Sequence, residues 1–584
     1  MAKITLTIDG RQVEVDKGTT VLEAARAANV HIPTLCYLKN VSSLGACRMC
    51  VVQIEGMRNM PASCVLAAAD GMVVKTNTPA IREARRVNLE LLLSDHDRRC
   101  LTCVRNKNCE LQTLCEELGV EEIEFEGDRP ERKKDSTSSA IVRDNNKCIL
   151  CRRCVSVCAQ MQNVGVIGAQ ERGFKTEIGQ AFDIPLGTST CINCGQCIIA
   201  CPTGALREKS SIDDVWAALN DPNKHVVVQP APAVRATLGE PFGMPMGTRV
   251  TGKMAAALRR LGFDKIFDTD FGADLTIMEE GAEFIHRLQN GGVLPMITSC
   301  SPGWIKFCEH FYPDFIDNLS TCKSPHQMLG AVIKSYYAKE HGYDPKDIYT
   351  VSIMPCTAKK FEAQRPEMTA TGYPDVDAVL TTRELATMIK QARIDFANLE
   401  DEPFDDMLGD SSGAADIFGA TGGVMEAALR TVAHVLTGGS VDKVDFHEVR
   451  GIAGVKEATI KVGDLDVNVA VASSTGAASR LLDAVRAGKK NYHFIEIMGC
   501  PGGCVNGGGQ PIISASTRMD IDPRVVRAKA LYTEDENKPV RRSHENPSLQ
   551  KLYEEFLGEP NSHKSHELLH THYTKRGKYD IHED

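Results

Sequence analysis

Two runs of cysteines with identical spacing constrain the fold of this chain more than any other feature of its sequence. Each follows the pattern C-x2-C-x2-C-x3-C, over Cys148–Cys158 and over Cys191–Cys201, and Pro202 follows the second run. This is the ligand pattern of a ferredoxin that holds two 4Fe–4S clusters, in which the fourth cysteine of each run binds the other cluster. The predicted ligand sets are Cys148, Cys151, Cys154 and Cys201 for one cluster, and Cys191, Cys194, Cys197 and Cys158 for the other. The pattern predicts a protein that transfers electrons one at a time.

The length and composition fit a large protein made of several domains. The chain has 584 residues, a net charge of −10 and 22 cysteines. Its length predicts roughly three to five domains, and its negative charge argues against a nucleic-acid-binding surface. The N-terminus lacks a long apolar segment, and no stretch approaches about 18 consecutive apolar residues, so we expect neither a signal peptide nor a membrane span. Clustered cysteines in such a chain indicate thiolates bound to metal in the cytoplasm rather than disulfide bonds.

Changes in sequence pattern divide the chain into five segments and one linker. Residues 1–78 alternate apolar and polar residues, as in a small β-rich fold, and residues 79–125 have apolar residues at helical spacing after Pro79. A charged stretch at 127–139 resembles a linker, and residues 139–210 contain the duplicated motif. Residues 222–515 alternate strand-like and helical runs, which predicts an α/β domain. Residues 516–584 are polar and helical, and the irregular spacing of their histidines favours a solvated helix over a metal site. These histidines are His563, His566, His570 and His572.

A third group of cysteines lies in the β-rich first segment. Its members are Cys36, Cys47, Cys50 and Cys64. The spacing keeps the C-x2-C core of the plant-type pattern but has a longer first gap, and it predicts a 2Fe–2S cluster. The alternative is a zinc ribbon, which usually has two C-x2-C hairpins, whereas this group has one.

A fourth group of metal-binding residue types follows the predicted helix. It consists of His96, Cys100, Cys103 and Cys109. Three thiolates need a fourth ligand to hold a 4Fe–4S cluster, and a neutral imidazole from His96 would leave the cluster less negative and shift its potential. Cys115 is the alternative fourth ligand, and a histidine taken alone would be an ordinary surface or core residue. The spacing makes both residues candidates, and the family resemblance described below favours His96.

Three segments of the predicted α/β region combine cysteine, glycine and proline. They are Thr298–Trp304, Met354–Glu362 and Glu496–Pro511. The third is the most specific, because Cys500 and Cys504 lie among six glycines that would let the backbone approach a bulky inorganic group. Two other cysteines, Cys308 and Cys322, have no such setting and are predicted to be core residues.

These three segments resemble the signature motifs of the iron-only (FeFe) hydrogenases, and the order of the N-terminal cysteine groups resembles the long, multi-cluster form of that family. The similarity covers nearly the whole chain and is strongest to catalytic subunits of NADP-reducing and electron-bifurcating hydrogenases. It implies an H-cluster, which is a 4Fe–4S cluster joined through a cysteine to a two-iron unit with CO, cyanide and a bridging dithiolate. The implied fold is a multi-domain α+β protein with a β-grasp-like 2Fe–2S domain (1–78), a small helical cluster domain (79–125), a two-cluster ferredoxin domain (139–210), a large α/β catalytic domain (222–515) and a C-terminal helical segment similar to the family's small subunit (516–584).

The resemblance also implies a role for each matching position. The implied ligands of the 4Fe–4S part are Cys356, Cys500 and Cys504, with Cys504 as the bridge. The implied contacts to the two-iron unit are Lys359 and Pro232 near the cyanides, with Met354 and Met498 packing the pocket. The implied proton path runs from Cys300 through Glu280, Ser320 and Glu283 to Arg287. Glu280 and Glu283 are three residues apart in a mostly apolar helix, so we expect both to be buried on one face.

Two positions depart from the family pattern. Where the family usually has a second cysteine that binds the 4Fe–4S part, this chain has Ser301, a harder and more basic donor than the thiolate that iron–sulfur clusters prefer. Three arrangements stay open: Ser301 binds weakly, Cys300 turns inward as the ligand while Ser301 joins the proton path, or an exogenous ligand fills the position. Ala233 stands where many relatives have a serine that hydrogen-bonds cyanide, so this position offers only its backbone.

The expected function is reversible formation of H2 from protons, with electrons relayed by one 2Fe–2S and three accessory 4Fe–4S clusters. One alternative is a slow sensory or regulatory protein, which the departure at Ser301 favours. The other is a pure electron-transfer subunit, but proteins of that class lack the three later cysteine segments that this chain has. The chain shows no convincing nucleotide-binding motif, since the run at 419–423 is only generally glycine-rich. We therefore expect ferredoxin, or partner subunits that bind NAD(P) or flavin, to exchange electrons with it.

Overall fold

The computed structural model describes residues 2–125, 129–439, 444–463 and 465–577. The first segment forms a mixed four-stranded sheet. Its strands are Lys3–Ile8, Arg11–Asp16, Gln53–Ile54 and Val73–Lys75. The first strand is central, antiparallel to the second and parallel to the fourth. Helix Val21–Ala27 contacts this sheet, and it begins with a capping box in which Thr20 and Glu23 satisfy each other's backbone N–H groups.

Two helices build the second segment. Pro79–Ser94 begins with proline in its first turn, capped by Thr78, and Glu110–Glu117 follows after the short turn Cys100–Thr102. Their buried leucines share one cluster with Cys36 and Cys47 of the first segment and with Ile149 and Cys151 of the third. This packing holds the second segment between its two neighbours.

Residues 127 and 128 of the predicted linker lie outside the described residues, and the remainder is partly folded. Lys134–Asp135 form a short strand that pairs with Ile141–Asp144, which in turn pairs with Leu206–Glu208. A second hairpin consists of Gly168–Gln170 and Glu177–Gly179. Helices Arg153–Ser156 and Gln196–Ala200 each contain part of one cysteine run and contact each other, so the two runs form one unit.

The large α/β region contains two sheets of four strands each. The first has the order Lys265–Ile266, His225–Pro230, Ile348–Met354, Ala378–Thr381, and all its strands are parallel. The second has the order Met296–Ile297, Phe494–Met498, Leu465–Ser473, Val455–Val462, and only its last strand is antiparallel. The helices of the α/β region, with the one that directly precedes it, are Ile212–Leu219, Pro232–Arg235, Thr251–Leu261, Thr269–Gln289, Pro302–Phe311, Pro325–Val332, Ala338–His341, Ala358–Glu362, Thr382–Gln391, Gly413–Asp416, Gly423–Leu436 and Thr475–Arg486.

The C-terminal segment lies against the α/β region. Its helices are Thr517–Asp520, Pro523–Asn537, Pro547–Leu552 and His563–Leu569. Arg527 is fully buried and pairs with Glu240 at 2.6 Å, while Arg26 of the first segment bonds to Asp520 and to the carbonyl of Ser516. None of the helices in the described parts of the chain is long and apolar enough to cross a membrane.

Candidate active site and metal centres

A cavity of about 80 Å³ lies where parallel strands of both sheets end. Ala231 and Pro232 follow the strand His225–Pro230, Cys356 follows the strand Ile348–Met354, and Cys500 follows the strand Phe494–Met498. Loops at the carboxyl ends of parallel strands meet at one edge, which is why they form the binding crevice of such sheets. The predicted site residues that line the cavity are Pro232, Ala233, Cys300, Ser301, Met354, Cys356, Lys359, Met498, Cys500 and Cys504.

The three thiols predicted to hold a cluster lie together on the wall of this cavity. Burial, and then the nearby Cys356, raise the pKa of Cys500 well above its ordinary value and that of Cys504 to about 12. Without a metal, the apolar pocket keeps these three thiols protonated. A bound iron–sulfur group would stabilise their thiolate form. The donor set therefore fits an iron–sulfur centre.

Glycines let backbone segments pack closely against one another around the cavity. Gly503 has φ +91°, and a Cβ there would lie 2.7 Å from the backbone nitrogen of Thr421. The glycine-rich run at 419–423 therefore packs against the loop that carries Cys504. Glu496 fixes this run, because its carboxylate accepts hydrogen bonds from the backbone N–H groups of Gly422 (2.6 Å) and Met425 (2.7 Å).

The hydroxyl of Ser301 faces the segment that precedes Cys500. Its oxygen accepts a hydrogen bond from the backbone N–H of Gly499 at 3.0 Å. The adjacent Cys300 also lines the cavity, and burial followed by the field of Glu280 raises the pKa of its thiol well above the ordinary value. The two neighbouring side chains thus meet different groups: the hydroxyl of Ser301 bonds to Gly499, and the thiol of Cys300 lies in the fields of Glu280, Lys359 and Cys504.

Lys359 is held at the cavity by a buried chain of polar groups. Its ammonium donates to the carbonyl oxygen of Cys300 at 3.0 Å and to Glu362 at 2.9 Å. Glu362 in turn lies 2.6 Å from the Nε2 atom of His326. Burial opposes ionisation of Glu362, but Lys359 and His326 lower its pKa to about 2, and burial lowers the pKa of His326 to about 4. Sequence reasoning missed Glu362 and His326, although Glu362 lies three residues after Lys359 on one helix face.

The predicted proton-path residues lie in series beside the cavity. Glu280 is 1% exposed, and burial, then the neighbouring Glu283, raise its pKa to about 8. The hydroxyl of Ser320 donates to Glu283 at 3.0 Å, and Arg287 donates to the same carboxylate at 2.6 Å. Glu283 and Arg287 each retain 12% of their side-chain exposure, so the series runs from the buried cavity towards the protein surface.

The four predicted accessory ligand groups also come together. The sulfur of Cys36 contacts those of Cys47 and Cys64, and the sulfur of Cys50 contacts that of Cys64. One cavity is lined by Cys148, Cys151, Cys154 and Cys201, and another by Cys158, Cys191, Cys194 and Cys197. The crossed pairing of the two runs is therefore the arrangement in the structure.

The fourth group surrounds a larger opening. It is lined by His96, Cys100, Cys103, Cys109 and Cys115. Burial lowers the pKa of His96 to about 4, which keeps the imidazole neutral, and its buried Nδ1 atom has no hydrogen-bond partner among the described residues. A neutral ring nitrogen without a partner is suited to bind a metal, although Cys115 lines the same opening.

Close backbone contacts join the ligand groups into a series. A Cβ on Gly508 would lie 2.4 Å from the carbonyl oxygen of Cys194, which places the second ferredoxin set directly behind the main cavity. A Cβ on Gly204 would lie 2.6 Å from the sulfur of Cys103, and Arg105 donates to the carbonyl of Cys201 at 3.0 Å. The histidine-containing group thus contacts the first ferredoxin set.

Together the fold and these sites define an iron–sulfur oxidoreductase whose chain of small metal centres ends at a buried cavity. The chain matches the family descriptions "Iron only hydrogenase large subunit, C-terminal domain" over residues 224–508 and "Iron hydrogenase small subunit" over 521–576. It also matches a 2Fe-2S iron-sulfur cluster binding domain over 1–79, the NADH-ubiquinone oxidoreductase-G iron-sulfur binding region over 85–124 and a 4Fe-4S dicluster domain over 147–205.

Individual relatives extend over the full chain. The chain is 52% identical to the NADP-reducing hydrogenase subunit HndD of Solidesulfovibrio fructosivorans, over 99% of this chain and 100% of the relative. It is 44% identical to iron hydrogenase 1 of Clostridium pasteurianum, over 98% of this chain and 100% of the relative. A solved structure of a variant of the [FeFe]-hydrogenase HydA1 from Chlamydomonas reinhardtii is 44% identical with a TM-score of 0.57, over 63% of this chain and 100% of that one.

This chain belongs to the iron-only hydrogenase family. The resemblance of the three cysteine segments to that family is confirmed, as are the α+β multi-domain fold and the presence of 2Fe–2S, 4Fe–4S and hydrogenase domains. The domain boundaries and the roles of single residues stay predictions.

Proposed function

We propose that this protein is a reversible hydrogenase that catalyses 2H⁺ + 2e⁻ ⇌ H2 within the cavity at the strand ends. One observation carries the proposal: a single buried cavity has cluster cysteines on one wall, the Cys300–Glu280 pair beside them, and a ferredoxin ligand set directly behind. Production of H2 needs protons and electrons at the same metal centre, and this arrangement brings groups for both to one cavity.

The cavity residues hold and shape the metal centre. We assign Cys356, Cys500 and Cys504 as ligands of the 4Fe–4S part of the H-cluster, and Cys504 as the bridge. When bound, the two-iron unit supplies the making and breaking of the H–H bond. The ammonium of Lys359 is a donor suited to an anionic ligand such as cyanide, and Met354 and Met498 give the pocket an adaptable apolar surface.

The fourth ligand position is assigned to Ser301. Its hydroxyl lies 3.0 Å from the backbone nitrogen of Gly499, next to Cys500, and after burial Glu280 has the largest effect on the pKa of the Cys300 thiol. Of the three arrangements that the sequence leaves open, this geometry favours Cys300 in the proton path and Ser301 near the cluster. Ala233 stays beside the cavity with only its backbone available for polar contact.

Protons are proposed to move along Cys300, Glu280, Ser320, Glu283 and Arg287. Glu280 is buried with a pKa of about 8, so it carries a proton at neutral pH and can give it to the cavity. Ser320 bonds to Glu283, and Arg287 bonds to Glu283 near the surface, so direct hydrogen bonds join the outer part of the path.

Electrons are proposed to move through one 2Fe–2S and three 4Fe–4S clusters. The Cys191 set would donate to the cavity, the Cys148 set would be next, and the 2Fe–2S and His96 groups would be two outer branches, since both pack against the Cys148 segment. This branching suits more than one electron partner, and we propose ferredoxin or NAD(P)- or flavin-binding subunits in the cytoplasm. Similarity to an NADP-reducing hydrogenase subunit supports such partners.

A sensory role is the second candidate, because Ser301 replaces a thiolate in the family pattern. The two candidates differ in turnover. We would measure H2 evolution from reduced methyl viologen by anaerobically matured protein and by a Ser301→Cys variant. The hydrogenase proposal expects fast turnover in the unmodified protein. An inactive protein that becomes active with Ser301→Cys would overturn it in favour of the sensory role.

A further inference from the structure

Three side chains from separate parts of the chain meet beside the outer proton path. Glu283 lies on the helix Thr269–Gln289, Cys322 follows Ser320 and Thr321, and His570 comes from the C-terminal segment. Each offers one ligand atom, a carboxylate oxygen, a sulfur or a ring nitrogen, and these atoms all lie within 4.8 Å of one another. Cys322 is 0% exposed and His570 is 9% exposed, so His570 differs from the solvated tail histidine that the sequence predicts.

The backbone holds these three groups in place. Cys322 and His570 face each other in an antiparallel β-bridge, and the flanking hydrogen bonds from Lys323 to Leu569 (2.8 Å) and from Thr571 to Thr321 (2.7 Å) fix the register. The backbone N–H of Thr321 also donates to Glu283 at 3.1 Å. The group is therefore built by three segments that are hydrogen-bonded to one another.

The surroundings of His570 resemble those of a metal-binding histidine. Its Nε2 atom lies 3.2 Å from a carboxylate oxygen of Glu279, and Glu279 is itself fixed by the hydroxyl of Tyr553 at 2.5 Å. Histidines that bind metals commonly give their second ring nitrogen to a carboxylate, which orients the ring. Its Nδ1 atom lies 2.7 Å from the hydroxyl oxygen of Thr321, a neutral partner that a cation can replace. The exposed ring of His566 lies beside that of His570, with centroids 4.1 Å apart and the ring planes tilted by 39°.

The donor types select a class of metal. Sulfur, imidazole nitrogen and one carboxylate suit zinc and similar divalent transition metals, whereas calcium and magnesium prefer oxygen ligands alone. Three protein ligands also leave a fourth tetrahedral position for water. The local charge is favourable: burial, and then the carboxylates of Glu283 and Glu279, raise the pKa of Cys322, and a divalent cation would relieve the negative field of these two groups.

We propose that Glu283, Cys322 and His570 form a binding site for a zinc-class divalent cation, and that occupancy of this site withdraws Glu283 from the proton path. Binding releases the thiol proton of Cys322 to solvent, and the cation takes the carboxylate that otherwise accepts the hydrogen bond from Ser320. The effect on turnover rests on the proposed proton path, whereas the binding does not.

Binding is tested on the cluster-loaded protein with zinc sulfate, by zinc content per chain and by X-ray absorption at the zinc edge. The expected result is one bound zinc with one Zn–S contact of about 2.3 Å. Cys322→Ser and His570→Gln are expected to weaken this binding at least about tenfold, and Cys308→Ser, which alters another buried thiol, is the matched control and keeps it. Equal zinc binding by the protein and both site variants, or zinc without a sulfur neighbour, would overturn the proposal.

Turnover is tested in the same samples. Zinc is expected to inhibit H2 evolution in the unmodified protein, and at least about tenfold more zinc is needed for equal inhibition in Cys322→Ser, each relative to its own zinc-free rate. If zinc binds with a Zn–S contact but turnover is unaffected, the site stands and the route through Glu283 is wrong. Equal inhibition of the unmodified protein and Cys322→Ser would overturn the regulatory role.

Discussion

The hydroxyl oxygen of Ser301 accepts a hydrogen bond from the backbone N–H of Gly499, with 3.0 Å between the oxygen and the nitrogen. This contact joins the helix start at Pro302 to the loop that carries Cys500 and Cys504. It also gives Ser301 a structural role whether or not its oxygen binds the cluster.

We expect Ser301→Ala to destabilise the cavity wall. The variant removes the acceptor for a buried backbone N–H, which costs about 1–3 kcal/mol. Iron content per chain and thermal inactivation of the matured protein measure the effect, with Ser301→Cys as the control that keeps a group able to bind iron. Unchanged inactivation and iron content in Ser301→Ala would show that this hydrogen bond has no stabilising role.

The raised pKa of Glu280 predicts a pH dependence of turnover. Below about pH 8 its carboxyl group is protonated and can supply protons, and above that pH it becomes a carboxylate, so H2 evolution should fall as pH rises through about 8. Infrared difference spectra should show a carboxylic acid band that disappears over the same pH range and is absent in Glu280→Gln. A Glu280 that is already ionised at pH 6 would contradict this assignment.

Loss of the titratable group itself should be more severe. Glu280→Gln is expected to lower H2 evolution at least about 100-fold, since the amide cannot carry a proton. Glu280→Asp keeps a carboxyl group in a shorter side chain and should recover part of the rate. Equal rates in the two variants would mean that Glu280 only fills space.

The fourth ligand of the His96 group can be decided by a pair of variants. His96→Ala is expected to lose one 4Fe–4S cluster, seen as a fall of about four iron atoms per chain and a lost paramagnetic signal. Cys115→Ser should keep the iron content and the paramagnetic signal of the unmodified protein. The opposite pattern would assign Cys115 as the ligand, and the unpartnered Nδ1 atom of His96 would then need another explanation.

We propose that electron transfer into the cavity depends on the close contact at Gly508. A side chain in Gly508→Ala would press on the carbonyl oxygen of Cys194, so we expect at least about tenfold slower turnover with the accessory clusters still reducible. Gly454→Ala is the matched control, because its nearest neighbour would be 3.9 Å away. Comparable rates in both variants would show that this contact tolerates displacement.

The sequence predicted the metal-binding groups better than their surroundings. Cysteine spacing identifies ligands because the chain must place each thiolate around one small cluster, so the pairing of Cys158 with the Cys191 run could be predicted. The alternation of strand-like and helical runs in residues 222–515 predicted an α/β region, and the parallel pairing of its strands His225–Pro230 and Ile348–Met354 explains why Pro232 and Cys356 share one cavity.

Contacts between distant segments were beyond the sequence. Nothing in the sequence spacing links His326 to Glu362, because the two residues lie far apart in the chain and on different elements. Tertiary packing brings their side chains to 2.6 Å. Cys322 was interpreted as an ordinary core residue and His570 as solvated, since their contact depends on how the C-terminal segment packs. Such contacts follow from tertiary packing rather than from a local period.

The most direct test concerns Cys300, which we propose to join the proton path to the metal centre. H2 evolution and the paramagnetic signals of the reduced accessory clusters would be measured in Cys300→Ala and in the control Cys308→Ala. We predict that Cys300→Ala lowers H2 evolution at least about 100-fold while the accessory clusters are still reduced, and that the control keeps most of its rate. Full turnover by Cys300→Ala would contradict the account, because protons would then reach the cavity by another route.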